Sequence, residues 1–198
     1  MDFDDTPEEA AFRAECREWL EAHARRRTPG RRAEMWRTLR PRDSSEDEAA
    51  IQVSKRWQAL KAEAGFAGIQ WPVAYGGRGL SGHLAAVFKR EEADYDVPAN
   101  SFQVGVDMVG PTLIAHGTAD QCARFLDPLR RGDEVWCQLF SEPDAGSDLA
   151  GLATRAERDG DEFVVNGQKV WTSGAQSSDW GILLVRTNPD VPKHRGIT

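Results

Sequence analysis

Apolar residues recur with a helical period through the first two thirds of the chain and with a period near two afterwards. Phe12, Cys16, Trp19 and Leu20 fall at i, i+4, i+7 and i+8, one stripe of an amphipathic helix. Its start is marked by Thr6-Pro7-Glu8-Glu9: a hydroxyl to cap free N–H groups, a proline suited to the first turn, and acids at the positive end of the dipole. The pattern predicts a helix from Pro7 to about Ala24. Ile51, Trp57 and Leu60 outline a second over about 47–64, stopped by Gly65. Leu84, Val87, Phe88 and Tyr95 outline a third over Ser81 to Tyr95, with Ser81 as its cap. Thr118 with Gln121 makes a capping box ahead of Cys122, Phe125, Leu126 and Leu129, and Gly132 ends that helix. Between the second and third helices, Trp71 to Gly79 reads as a loop.

After Gly132, Val135 to Phe140 predicts a short strand. Asp159-Gly160 and Asn166-Gly167 are hairpin signals flanked by extended-type sequence, so residues 153–171 read as a three-stranded meander. Ile182 to Val185 predict another strand, and Gly196-Ile197-Thr198 opens an element left unfinished. Helices followed by an antiparallel sheet, with nothing alternating as βαβ units do, predict the α+β class. The expected domains are an all-α domain over residues 1–132 and a β domain over residues 133–198.

A length of 198 residues, 40% hydrophobic and 29% charged, suffices for one ordinary domain or two small ones with real cores. With 25 basic against 32 acidic residues and a net charge of -7, the chain lacks the positive field that nucleic acid or an anionic membrane surface requires. No stretch approaches the ~20 consecutive apolar residues of a membrane span, and the acidic start MDFDDTPEEA is unlike a secretory signal, which predicts a cytoplasmic protein. Cys16, Cys122 and Cys137 are odd in number and in no CxxC spacing, so they are expected as free thiols in or near the core. The arginine-rich segment 25–42, followed by the acidic run Asp43 to Glu48, reads as a solvated linker.

Chemistry is sparse in most of the chain. Gly77-x-Gly79-x-x-Gly82 matches the dinucleotide fingerprint, yet no strand leads into it, so it reads as a loop. The histidines form no ligand spacing, and no GxSxG is present. The densest signal is Gln138-Leu139-Phe140-Ser141-Glu142-Pro143-Asp144-Ala145-Gly146-Ser147-Asp148: a strand that ends in a hydroxyl, then a turn offering backbone N–H groups. Two readings stand side by side: an anion seat suited to a pyrophosphate, and an ordinary loop whose Ser147 and Asp148 cap the next turn. Trp171 stands beside Thr172-Ser173-Gly174, a polar way to end a strand.

Three segments together resemble the acyl-CoA dehydrogenase family: Trp71-Pro72 with Tyr75-Gly76-Gly77-Arg78-Gly79, Ser141 to Asp148, and Asn166-Gly167-Gln168-Lys169-Val170-Trp171-Thr172-Ser173-Gly174. The resemblance implies an N-terminal helical domain and a barrel-like middle β domain, incomplete at its C-terminus, with the family's C-terminal helical bundle lying beyond Thr198. It implies FAD as cofactor, with Gln138, Leu139, Phe140 and Ser141 lining the flavin, Ser141 near its pyrimidine edge, Trp171 covering one face of the ring, Thr172 also among the cofactor-binding residues, and Ser173 bonding N5. Gly146 and Ser147 would meet the pyrophosphate, and Ser147 would also touch acyl-CoA. Ser141 and Ser173 stand where many relatives carry threonine, and Asp144 replaces a frequent glycine.

The implied reaction is α,β-desaturation of an acyl-CoA thioester to trans-2-enoyl-CoA, with an electron-transfer flavoprotein as acceptor and a homo- or hetero-oligomeric assembly. No catalytic residue is assigned within the chain, because the family's base, a glutamate, is expected beyond Thr198. Glu142 is the nearest local acid, but it precedes Pro143 in a turn. The rival readings are a noncatalytic FAD- or partner-binding subunit or truncated product, and a same-fold acyl-CoA oxidase or flavin monooxygenase. Surface meant for missing helices is expected as an exposed apolar patch.

Overall fold

A computed structural model describes residues 5–27 and 44–198. Most of the arginine-rich segment, from residue 28 onward, therefore lies outside the described residues. The chain divides into two compact units, Met1–Asp133 and Glu134–Thr198. The first is helical and the second is built on strands, which is the α+β order expected.

In the helical unit, α1 (Pro7–His23) opens on a reciprocal capping box in which Thr6 and Glu9 each accept the other's backbone N–H. Its stripe of Phe12, Cys16 and Leu20 is buried. Phe12 and Cys16 join Phe66, Ile69, Leu84, Val87 and Phe88 in one core cluster, with Trp19 packed against its edge. Glu91 is buried at 5% exposure and is held by the guanidinium groups of Arg13 and Arg17.

α2 (Ser44–Glu63) departs from the pattern that predicted it. Trp57 is buried, but Leu60 is 38% exposed and the inward face also carries Ser54, Gln58 and Lys61. These polar side chains fasten neighbouring segments: the Ser54 hydroxyl donates to the Ala99 carbonyl, Gln58 donates to the Arg130 carbonyl, and Lys61 pairs with Glu92. A buried face satisfied in this way has no hydrophobic period to read.

α3 (Gly82–Glu92) begins at Ser81, whose hydroxyl accepts the Leu84 N–H. The glycine-rich loop ahead of it follows a 3₁₀ turn, Val73–Tyr75, so its context differs from a dinucleotide turn. A helix unseen in the sequence covers residues 103–116, with a π turn at Gly105–Val109 leading into α4 (Gly110–His116). The π turn leaves the Val106 carbonyl to accept the indole N–H of Trp71. α5 (Ala119–Arg131) has the Thr118–Gln121 capping box and buries Cys122, Leu126 and Leu129.

In the second unit, β1 (Trp136–Leu139) pairs with β4 (Trp180–Leu183), and β2 (Arg155–Asp159) pairs with β3 (Glu162–Asn166). The β2–β3 ladder is the antiparallel hairpin predicted at Asp159-Gly160. The β1–β4 ladder is parallel, a departure from the all-antiparallel expectation. A parallel pair needs a long crossover, and residues 140–179 provide it without an α-helix. Among the described residues the ladders are two-stranded and no barrel is closed.

The predicted third strand of the meander does not form, and Asn166-Gly167 is no hairpin turn. A Cβ at Gly167 would lie 2.2 Å from the Thr154 Oγ1 and 2.6 Å from its Cα, so the glycine serves a close backbone approach instead. Phe163, Val164 and Val165 leave β3 with exposed apolar side chains. All three cysteines are buried free thiols. Among the described residues no helix is long and apolar enough to cross a membrane, and no side-chain cluster is suited to a metal ion.

Candidate functional site

Within the second unit, β1 brings Gln138 and Leu139 to one end of the parallel ladder, and Phe140 and Ser141 continue it as half-buried residues. Residues 142–145 close a tight turn through paired backbone bonds, Glu142 N–H to Ala145 O at 2.9 Å and the reverse at 3.1 Å. The turn projects Gly146 and Ser147 outward as exposed residues. Among the described residues no backbone carbonyl accepts from their N–H groups, and a Cβ on Gly146 would meet nothing within 4 Å. Two adjacent outward donors suit an anion. Asp148 does not cap the 3₁₀ turn Leu149–Gly151 with its side chain. Its carboxylate instead pairs with Lys193 at 2.7 Å, which holds it below the usual carboxylate range. Asp144 is exposed.

The second arm of the site is the segment 167–174. The Val170 N–H donates to the Ser141 carbonyl at 2.9 Å, laying this segment beside the end of β1. Trp171 follows with φ at 59°, the one non-glycine residue with positive φ among those described, and its side chain is 88% exposed. A bulky side chain in the left-handed region stores roughly 1–3 kcal/mol of strain, and such outliers collect where a ligand is gripped. Thr172 is half-buried, Ser173 is exposed, and the turn Ala175–Ser177 contacts β1.

Glu142 is the least suited of the local acids to remove a proton. Its carboxylate is 7% exposed and accepts from Ala153 N–H at 2.6 Å, Thr154 N–H at 3.0 Å and Lys169 Nζ at 2.8 Å. Burial pushes its pKa up, but the bond from Lys169 and the backbone donors outweigh that and bring it down to about 2. Lys169 was missed in the sequence. Its signal was a lone lysine entering the extended run Val170-Trp171, two segments downstream of an acid that also precedes a turn.

The family model for the acyl-CoA dehydrogenase N-terminal domain matches residues 6–133, and that for the middle domain matches residues 137–198. The chain belongs to the acyl-CoA dehydrogenase family. The acyl-CoA dehydrogenase IpdE1 of Mycobacterium tuberculosis (strain ATCC 25618 / H37Rv) is 45% identical over 152 residues, which cover 77% of this chain and 40% of the relative. FadE29 of the same organism is 37% identical over 198 residues, covering 100% of this chain and 47% of that protein. The ChsE4-ChsE5 complex from Mycobacterium tuberculosis is similar in structure, with a TM-score of 0.74 at 36% identity, covering 100% of this chain and 46% of that one. A structure described as the Tcur3481-Tcur3483 steroid ACAD matches with a TM-score of 0.72 at 35% identity, covering 100% of this chain and 48% of that one. This acyl-CoA dehydrogenase chain thus spans less than half the length of these relatives.

The residues present fit the family's flavin on structural grounds. An exposed indole is held in a strained conformation beside an exposed hydroxyl, and two free N–H donors stand at Gly146 and Ser147.

Proposed function

We propose that the chain supplies the flavin and acyl-CoA seats of an FAD-dependent acyl-CoA dehydrogenase that converts an acyl thioester to trans-2-enoyl-CoA. The strained, exposed Trp171 carries the reading, since nothing in the unit's own packing rewards an indole that is 88% exposed at positive φ. FAD, when bound, supplies the acceptor for the hydride that leaves the substrate's β-carbon. Trp171 would cover one face of the ring and restrict water there, and Thr172 would also contact the cofactor. The Ser141 and Ser173 hydroxyls would serve the ring's pyrimidine edge and N5, Gln138, Leu139 and Phe140 would line the ring, and Gly146 and Ser147 would hold the pyrophosphate. Ser147 also contacts acyl-CoA.

Glu142, held as a carboxylate by its donors, is a poor base for the α-proton, and the family resemblance supports a glutamate from the family's C-terminal region in that role. The resemblance supports an electron-transfer flavoprotein as the electron acceptor, in a cytoplasmic homo- or hetero-oligomer. A cavity of about 640 Å³ within the helical unit, walled by Phe66, Trp71, Phe88, Gln103, Asp107 and Ile114, supports an acyl group of ring-containing size. The steroid description of one relative supports the same reading.

The test is flavin emission and the visible spectrum of FAD titrated with the chain, followed by anaerobic addition of linear and steroid-side-chain acyl-CoAs. Quenched flavin emission is expected, weakened in Trp171→Ala. Unchanged emission and anisotropy would overturn the flavin reading. The second reading is a noncatalytic flavin-binding subunit, which bleaching of the bound flavin by an acyl-CoA would exclude. Rapid reoxidation in air with peroxide release would mark an oxidase.

A further inference from the structure

Trp171 has a left-handed backbone, and the residues before it are fastened one after another. Gly167 lies flush against Thr154, where a Cβ would come within 2.2 Å of the Oγ1. Lys169 turns inward with its side chain 8% exposed and divides its donors between Glu142 Oε1 at 2.8 Å and the Phe140 carbonyl at 3.0 Å. Val170 N–H takes the Ser141 carbonyl. Glu142 is itself tied to the backbone of Ala153 and Thr154, the same stretch against which Gly167 packs. On the far side of Trp171, Gly174 is left-handed at φ 79° and leads into the turn that contacts β1. The chain is pinned on both sides of a single residue, and the indole is turned out to solvent there.

We infer that Lys169 and Glu142 are positioning residues: the ammonium of Lys169, oriented by Glu142, clamps the Phe140 carbonyl and so holds Trp171 in its left-handed, outward pose and at a set distance from the end of β1. The inference rests on the flavin reading above and deepens it. Neither residue touches the cofactor. The device makes the flavin platform rigid before any ligand arrives, which reduces the ordering that binding would otherwise require.

The experiment uses the 198-residue chain labelled with 5-fluorotryptophan, the Trp171 resonance being assigned by its loss in Trp171→Phe, together with FAD affinity by flavin fluorescence. Lys169→Met strands a buried carboxylate and is open to unfolding, so the decisive variant is the double Glu142→Gln/Lys169→Met. It removes both charges and nearly keeps their volumes, and it takes the Lys169 ammonium away from the Phe140 carbonyl. The expected result is a folded chain of reduced thermal stability, since one amide oxygen replaces the two acceptors of the Ala153 and Thr154 N–H groups, with a shifted or broadened Trp171 resonance and FAD affinity lowered about tenfold. Lys169→Arg, which restores a charged donor, should recover part of both signals. A double variant with an unmoved Trp171 resonance would overturn the inference, as would FAD affinity within about twofold of the parent. If the parent chain itself fails to bind FAD, the flavin reading falls, while the fluorine resonance still decides whether the pair positions Trp171.

Discussion

Replacing Gly110 by alanine sets two opposed effects against each other, and the structure fixes which wins. Gly110 is helical, at φ -56°. In an exposed helix interior, glycine to alanine would stabilise by about 1 kcal/mol through propensity alone. Here the added Cβ would lie 1.9 Å from Trp71 Cζ2, 2.5 Å from Cη2 and 2.8 Å from Cε2. Trp71 is 3% exposed and donates its indole N–H to Val106 at 3.1 Å, so it cannot swing aside freely. Overpacking of this kind costs typically 1–3 kcal/mol, and losing the indole hydrogen bond costs about 1 kcal/mol more. The net expectation is destabilisation of roughly 1–3 kcal/mol, opposite in sign to propensity. Urea unfolding of Gly110→Ala followed by far-UV circular dichroism reads it, since helices dominate that signal. Trp71→Phe removes the benzo ring that clashes, so in that background the alanine should cost less, by about 1–2 kcal/mol of coupling. A Gly110→Ala chain as stable as the parent, or more stable, would refute the packing argument.

Other perturbations test separate parts of the chain. The Glu142 carboxyl has a folded pKa near 2 against an ordinary 4.5, so the stability it confers is full above pH 4.5 and is lost as pH falls from there towards 2. At roughly 3 kcal/mol in all, that loss should appear in acid unfolding monitored near the second unit's tryptophans and be much reduced in Glu142→Gln. Thr118→Ala removes the acceptor for the Gln121 N–H and should destabilise by about 1 kcal/mol in urea unfolding, whereas Thr118→Asp should retain most of it. Burial pushes the Cys16 thiol up to about 12 at 0% exposure, so intact-mass analysis after iodoacetamide at pH 8 should find Cys16 unmodified until denaturant is added.

The elements legible in the sequence were those whose ends are written in adjacent residues. Thr6 with Glu9, Ser81 with Leu84, and Thr118 with Gln121 each make the bonds their spacing implies. The helix at 103–116 was hidden because Gly105, Gly110 and Pro111 are poor helix formers, and what supports it is tertiary: the Trp71 indole and close packing at Gly110. The parallel partner of β1 begins at Trp180, and no local pattern can announce a pairing across such a distance. Asn166-Gly167 carried a true glycine signal with the wrong cause, since close approach and tight turns both demand the residue. At the candidate site, the residues that would face a ligand came from family resemblance, and the structure brings Ser141 beside Val170, next to Trp171. The Glu142–Lys169 pair behind them escaped notice because a buried ion pair between distant residues has no period and no spacing.

The parallel pairing of β1 with β4 has a consequence for how the second unit acquires its shape in time. The β2–β3 hairpin closes over a two-residue turn and can form within microseconds, on local contacts alone. β1 and β4 cannot meet until residues 140–179 have been gathered in, and the entropy of closing so long a loop must be met before their ladder returns anything. The ligand platform at the end of β1 is therefore completed after the hairpin, once that loop has closed. Order of assembly is not order of opening: the largely exposed β2–β3 hairpin should exchange its amide hydrogens faster than the half-buried β1.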